Sequence, residues 1–208
     1  MVDPINLSIL CVHQNEPSCA PLRDLLAGHA KALGAEYVDY PTAGGSYVES
    51  YLDKALQECS RGYILRIDDD ESLSTALVGW LLLGRFRKHP HWKFPRMHLW
   101  ADRATTGYEY LDHPRLFPDH QTRCSIHLMS GGRRAIHAGS PFGGGELAPC
   151  AILHHKFQVK TRDERRAIWE RYERLQPGAG LPMRIFSEPE AELTEFPVKP
   201  VGDGSVRE

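Results

Sequence analysis

Short apolar runs alternate with segments of helical spacing over the first 67 residues, and that rhythm constrains the fold more than any other feature of the chain. Residues 6–12 (NLSILCV) read as a strand, followed by the polar stretch His13-Gln14-Asn15-Glu16-Pro17. Leu22, Leu25, Leu26, Ala30 and Leu33 then recur at helical spacing, with Gly34 where a C-terminal cap belongs. Residues 36–40 (EYVDY) read as a second strand closed by a Pro- and Gly-rich turn. Ser46 and Glu49 form a capping box, and the helix behind it puts Val48, Tyr51, Leu52, Ala55, Leu56 and Cys59 on one face. Residues 63–67 (YILRI) read as a third strand. Strand–helix–strand–helix–strand with short connections predicts an α/β fold, a parallel sheet with helices packed on it. Ligands of open sheets of this kind bind outside the carboxyl ends of the strands, so the loops after the three strands should converge on one edge.

Downstream, residues 74–88 predict a further helix, almost wholly apolar through Leu83 and therefore expected to be buried. From Trp92 the pattern shifts to short strands over 93–99, 123–129 and 133–138, with Ser130-Gly131-Gly132 as a hairpin turn and a glycine-rich loop over 139–146. Residues 151–153 lead into His154-His155. Thr161 and Glu164 form a second capping box, and Ile168, Tyr172 and Leu175 mark the last helix. One domain over 1–186 and a mobile, proline-rich acidic tail over 187–208 are expected.

Charge and cysteine usage narrow the class. Lys and Arg number 25 against 27 Asp and Glu, a net of −2 that argues against a dedicated duplex-DNA binder. The 5 cysteines are odd in number, widely spaced and without a C-x-x-C, which favours a reducing cytoplasm over a disulfide framework or zinc ribbon. The N-terminal stretch has no basic region before its apolar part, unlike a secretion signal. The apolar run over 76–83 is far short of the roughly 20 residues that span a bilayer. A cytoplasmic protein without stable membrane insertion is expected.

The sharpest chemical feature is Asp68-Asp69-Asp70-Glu71 at the end of an apolar strand. Consecutive carboxylates repel one another, and a divalent cation relieves that repulsion, because hard oxygen ligands suit Mg2+ and Mn2+. Such an ion would in turn hold a diphosphate and neutralise its developing charge as a leaving group. The ordinary alternative is a solvated acidic turn that favourably caps the next helix. For His154-His155 the alternatives are a metal ligand or one ring in the core and one in solvent. For Arg115 the alternatives are a bidentate fork on a phosphate or an ordinary surface arginine beside Pro114.

These pieces together resemble a known family. Val12-His13-Gln14-Asn15-Glu16, then Asp39, then Ile64-Leu65-Arg66-Ile67-Asp68-Asp69-Asp70-Glu71 look like the nucleotide-sugar half of a GT-A glycosyltransferase, closest to family 2 with its D-x-D motif. Phe94-Pro95-Arg96, Asp112-His113-Pro114-Arg115-Leu116-Phe117 and Leu153-His154-His155-Lys156-Phe157 continue the likeness in order, over about residues 5 to 176. The resemblance implies a Rossmann-like, mostly parallel sheet with flanking helices: a nucleotide-sugar half over about 5–90, and a small mixed acceptor half over about 91–176. It implies a nucleotide-diphosphate sugar donor and Mn2+ or Mg2+ as cofactor. Asp70 would bind the metal, and Asp68 the metal or the donor's ribose. His154, or its neighbour His155, would complete the metal site, while Val12 and Asp39 would contact base and ribose.

The sequence departs from the family in two places. The loop after Asp39 lacks the usual further acids, and Ile136-His137-Ala138 lacks the acid that often follows the histidine. An inverting transferase needs a base for the acceptor proton. Asp112 is the candidate, with Asp102, Glu109 and Glu146 as rivals. A metal-dependent nucleotidyltransferase or phosphohydrolase is the alternative reading, and a binding domain that has lost its base is a third. The acceptor stays open among a glycan, a small molecule and a modified base flipped from DNA. Asp70→Ala is expected to abolish turnover yet spare the fold, since it removes a repelling carboxylate.

Overall fold

A computed structural model of the chain describes residues 5–43, 48–89, 91–94, 96–100, 109–111, 125–127, 146–175 and 177. Strand β1 (Leu7–His13) is buried along its whole length. It runs between β2 (Glu36–Pro41) and β3 (Tyr63–Ile67), parallel to both. Burial on two faces explains the apolar run Ile9-Leu10-Cys11-Val12 at its centre, as in other sheets covered by helices on each side. Leu7, Ile9 and Cys11 join Leu65 and Ile67 in the larger core, against Leu26, Ala30 and Leu33 of α1 (Ala20–Leu33) and Leu77, Trp80 and Leu81 of α3 (Thr75–Leu82). Leu10, Val12 and Ile64 belong to the opposite face, against Leu52, Ala55 and Leu56 of α2 (Leu52–Gln57). Glu36 ties the other end of the sheet together, accepting from the Ser8 hydroxyl and from both N–H and hydroxyl of Ser60 at 2.8 and 2.7 Å.

Beyond β3 the sheet changes character. The order is β2-β1-β3-β8-β5-β9, in which β8 (Ser125–His127) runs antiparallel to both β3 and β5 (His91–Lys93), and β9 (Glu146–Leu147) lies parallel to β5. A second sheet has the order β4-β10-β6-β7, from β4 (Glu71–Leu73), β10 (Ile152–His154), β6 (Arg96–Trp100) and β7 (Glu109–Leu111). The expected parallel arrangement is therefore that of β2-β1-β3, and the rest is mixed.

Several boundaries differ from the sequence reading. Glu71–Leu73 is a strand inserted between the acidic run and the next helix. That helix starts where expected, with the Ser74 hydroxyl accepting from Leu77 N–H, but stops at Leu82. Gly84 takes a left-handed φ of 64° and starts a 3-10 turn over Arg85–Lys88. Consequently Leu82 and Leu83 are 52% and 68% exposed instead of buried. The stretch 93–99 is divided between β5 and β6, which belong to different sheets. Gly34 at φ 67° caps α1 as its position suggested. Thr161 and Glu164 form a full capping box at the start of α5 (Arg162–Leu175), Glu164 Oε2 accepting from Thr161 N–H at 2.6 Å. The Ser46–Glu49 capping box, the 130–132 turn, the strand over 133–138 and the tail over 187–208 lie outside what the described residues can address.

Candidate functional site

The chain leaves β1 for β2 on one side and then crosses to β3 on the other. In open α/β sheets such a switch point opens a crevice at the carboxyl ends of the strands. Three loops meet there: 14–19 after β1, 42–43 after β2 and 68–70 after β3. A fourth segment joins them because β10 pairs antiparallel with β4, setting His154 opposite Glu71 and Leu153 opposite Ser72. The His155 N–H then donates to the Asp70 carbonyl at 2.7 Å.

The acidic run is neither a solvated turn nor a row of uncompensated charges. Asp69, Asp70 and Glu71 are 9%, 6% and 0% exposed. Glu71 closes the turn on itself, its Oε2 accepting from Asp68 N–H at 2.8 Å. The remaining carboxylates face cations supplied by the chain. Asp68 Oδ1 accepts from Arg66 at 3.0 Å; Arg66 is itself buried, two residues along β3 from Ile64 and so on the same face. Asp69 lies 3.6 Å from Arg23 of α1. Asp70 has the Lys160 ammonium 3.5 Å from Oδ2 and the His154 Nε2 3.5 Å from Oδ1. Lys160 also pairs with Glu16 at 2.6 Å.

These contacts separate the titration of neighbouring groups. Burial pushes Asp69 up, to about 6, against the opposing pull of Lys160. Burial also works to raise Asp70, but Lys160 and then His154 outweigh it and hold this carboxyl well below the usual range. Lys160 is held protonated despite its burial, mainly by Asp70 and Asp69. Glu16, Cys19 and Asp69 bring potential ligand atoms within 4.8 Å of one another. Burial pushes the Cys19 thiol up to about 12, so it stays a neutral thiol at physiological pH.

Two positions singled out from the sequence, Asp70 and His154, are thus brought together. Asp68 turns to Arg66, and His155 turns away, Nε2 to the Ser72 hydroxyl at 2.7 Å and Nδ1 to Gln158 Oε1 at 2.5 Å. Asp39 lies within β2, two residues before its end, with its side chain 49% exposed and 3.0 Å from the buried His13 Nε2. His13 Nδ1 accepts the Asn15 N–H at 3.0 Å, which leaves the neutral ring's proton on Nε2 for donation to Asp39. Asn15 holds a left-handed φ of 60°, an uncommon conformation outside glycine that recurs at functional loops. Val12 is buried under α2, so a ligand contact at this position would run through its main chain. Asp112, Arg115 and Asp102 lie outside the described residues, as does the side chain of Glu109, and Glu146 is exposed on β9.

Lys160, Arg66, Arg23 and Glu16 are the members of this cluster that the sequence did not single out. Arg66 carried a signal, a charged residue inside an otherwise apolar buried strand. Lys160 carried none, since its partners belong to loops at the far end of the chain.

No family model matches the sequence, and neither does any curated protein. Among solved structures, the chain is similar to a glycosyltransferase involved in the glycosylation of the major capsid of PBCV-1, with a TM-score of 0.36 and 11% identity. The match covers 59% of each chain, so this protein spans well under two thirds of that structure's length. A likeness this loose assigns neither fold nor chemistry.

Proposed function

We propose that this chain is a glycosyltransferase that takes a nucleotide-diphosphate sugar at the carboxyl edge of β1, β2 and β3 and transfers the sugar, with inversion, to an acceptor hydroxyl. The observation that carries the reading is the meeting of Asp70 and His154 at the switch point of the sheet, 3.5 Å apart. The two residues come from segments that the GT-A likeness pairs as D-x-D acid and C-terminal histidine. Asp39, half exposed and oriented by His13, is suited to accept from a ribose or base hydroxyl or N–H. The main chain of Val12 and the Asp68–Arg66 pair frame the same edge.

A carboxylate oxygen and an imidazole nitrogen at this separation fit a Mn2+ or Mg2+ ion, whose neighbouring ligands sit about 3 Å apart when bonds are about 2.1 Å. Asp70 and His154 would hold it, with Asp68 joining by a side-chain rotation away from Arg66. When bound, the ion supplies neutralisation of the charge developing on the diphosphate leaving group. The acceptor proton needs a base, for which we keep Asp112, and Arg115 is kept for a phosphate. The acceptor remains a glycan, a small molecule or a modified DNA base.

The test is release of nucleoside diphosphate from a panel of donors in the presence of Mn2+. Asp70→Asn should lower turnover at least a hundredfold while retaining the wild-type circular dichroism spectrum. Full activity in that variant would remove Asp70 from the site and the reading with it.

A further inference from the structure

Lys160 has a side chain only 5% exposed, and its ammonium is placed between carboxylates from two loops: Glu16 Oε2 at 2.6 Å and Asp70 Oδ2 at 3.5 Å. Its position is built, not incidental. Lys160 ends α4 (Lys156–Val159), its N–H donating to the Lys156 carbonyl at 3.1 Å. Its own carbonyl accepts from the buried Arg165 at 2.8 Å, and the Thr161–Glu164 capping box starts α5 directly after it. The side chain is therefore aimed from a connection pinned on both sides. The acids around it are also arranged as donors. Glu16 and Asp69 lie in a group of ligand atoms within 4.8 Å of one another, and Asp70 has His154 on its other oxygen.

We infer that Lys160 is the resident cation of the acidic edge and competes with a divalent metal for Asp70. An ammonium and a divalent ion on opposite oxygens of one buried carboxylate repel strongly in so weakly screened a place. Metal entry therefore requires the ammonium, already in contact with Glu16, to give up Asp70. In the absence of metal, Lys160 supplies the positive charge that sits against Asp70 Oδ2 and holds it in place. Metal occupancy is then graded by Lys160 instead of being set by the acidic ligands alone. This inference deepens the proposed donor site and rests on it.

Mn2+ titrations followed by the paramagnetic resonance of the free ion test the inference without any nucleotide sugar. A protein that binds no donor, and so fails the reading above, still reports on Lys160. Lys160→Met should bind Mn2+ at least tenfold more tightly than wild type, and Lys160→Arg, which keeps the charge, should stay close to wild type. Equal or weaker binding by folded Lys160→Met overturns the inference. If Lys160→Met does not fold, acetylation mapping of the wild type decides. Mn2+ at concentrations that occupy the site should raise the reactivity of the Lys160 amine at least threefold, and unchanged reactivity with bound metal overturns the inference.

Discussion

Asp70 is held by His154 on one oxygen and Lys160 on the other, which revises what its removal does. The bare sequence presents a carboxylate repelled by its neighbours, whose loss should spare the fold. In the structure Asp70→Ala strips a buried ammonium of one of its two carboxylate partners; a fully broken buried pair costs about 3–5 kcal/mol, and the loss here is smaller because Glu16 still holds Lys160 at 2.6 Å. Thermal melts should therefore show Asp70→Ala below wild type, with Asp70→Asn between them; an unchanged melting temperature for Asp70→Ala would contradict the pairing. His155→Ala separates structure from binding. It breaks the contacts to Ser72 and Gln158, and should lower stability by about 1–3 kcal/mol while leaving Mn2+ affinity unchanged. His13 gives the pH dependence. Burial lowers its pKa below the ordinary 6.5, with Asp39 opposing. A folded state that resists protonation keeps its full advantage above 6.5 and loses it as the pH falls toward the folded value. In urea denaturation at pH 7.5 and pH 5, His13 should thus cost stability toward acid, while Asp69, raised by burial to about 6, works in the opposite direction by favouring the folded state at pH 5. Compared with wild type, His13→Gln should be shifted toward greater relative stability at pH 5, and an unchanged pH dependence would contradict the assignment.

At the scale of elements, the signals the sequence carried well are local ones. Gly34 after α1, Ser74 before α3 and the Thr161–Glu164 box before α5 all act through groups within four residues. Thr161→Ala should cost about 0.5–2 kcal/mol, read as a lower melting temperature, because it removes the acceptor for the Glu164 N–H. Arg165 in the next turn holds the Lys160 carbonyl, so the same variant should also loosen Lys160 and modestly tighten Mn2+. The misread elements depend on distant partners. Glu71–Leu73 is a strand because β10 pairs with it, which no periodicity over three residues reveals. Residues 93–99 alternate like a single strand, yet Phe94 is buried in the main core and the strands on either side enter different sheets. Pro95, lacking the N–H that a ladder uses, was the available sign of a break. Leu82, the last residue of the helix, and Leu83 after it close the apolar run just before Gly84 and lie exposed.

At the scale of the molecule, the sequence made legible the strand–helix rhythm, the edge where the site should form, and the pair Asp70 and His154. It hid the cations. Arg66, Arg23 and Lys160 come from a strand, a helix and a distant connection, and charge compensation of this kind is set by three-dimensional proximity that spacing does not encode. Among the described residues no helix is long and apolar enough to cross a membrane. The central claim, that the carboxyl edge of β1, β2 and β3 binds a nucleotide-diphosphate sugar, is tested most directly by equilibrium binding. Thermal melts of the full chain would be run against a panel of nucleoside-diphosphate sugars, with and without Mn2+. A donor at a hundred times its dissociation constant adds about 2.7 kcal/mol, a shift that a melt resolves readily. One donor should raise the melting temperature, more with Mn2+ than without, and Asp39→Asn and Asp70→Asn should each reduce the effect. No stabilisation by any donor, in protein that binds Mn2+, would contradict the central claim.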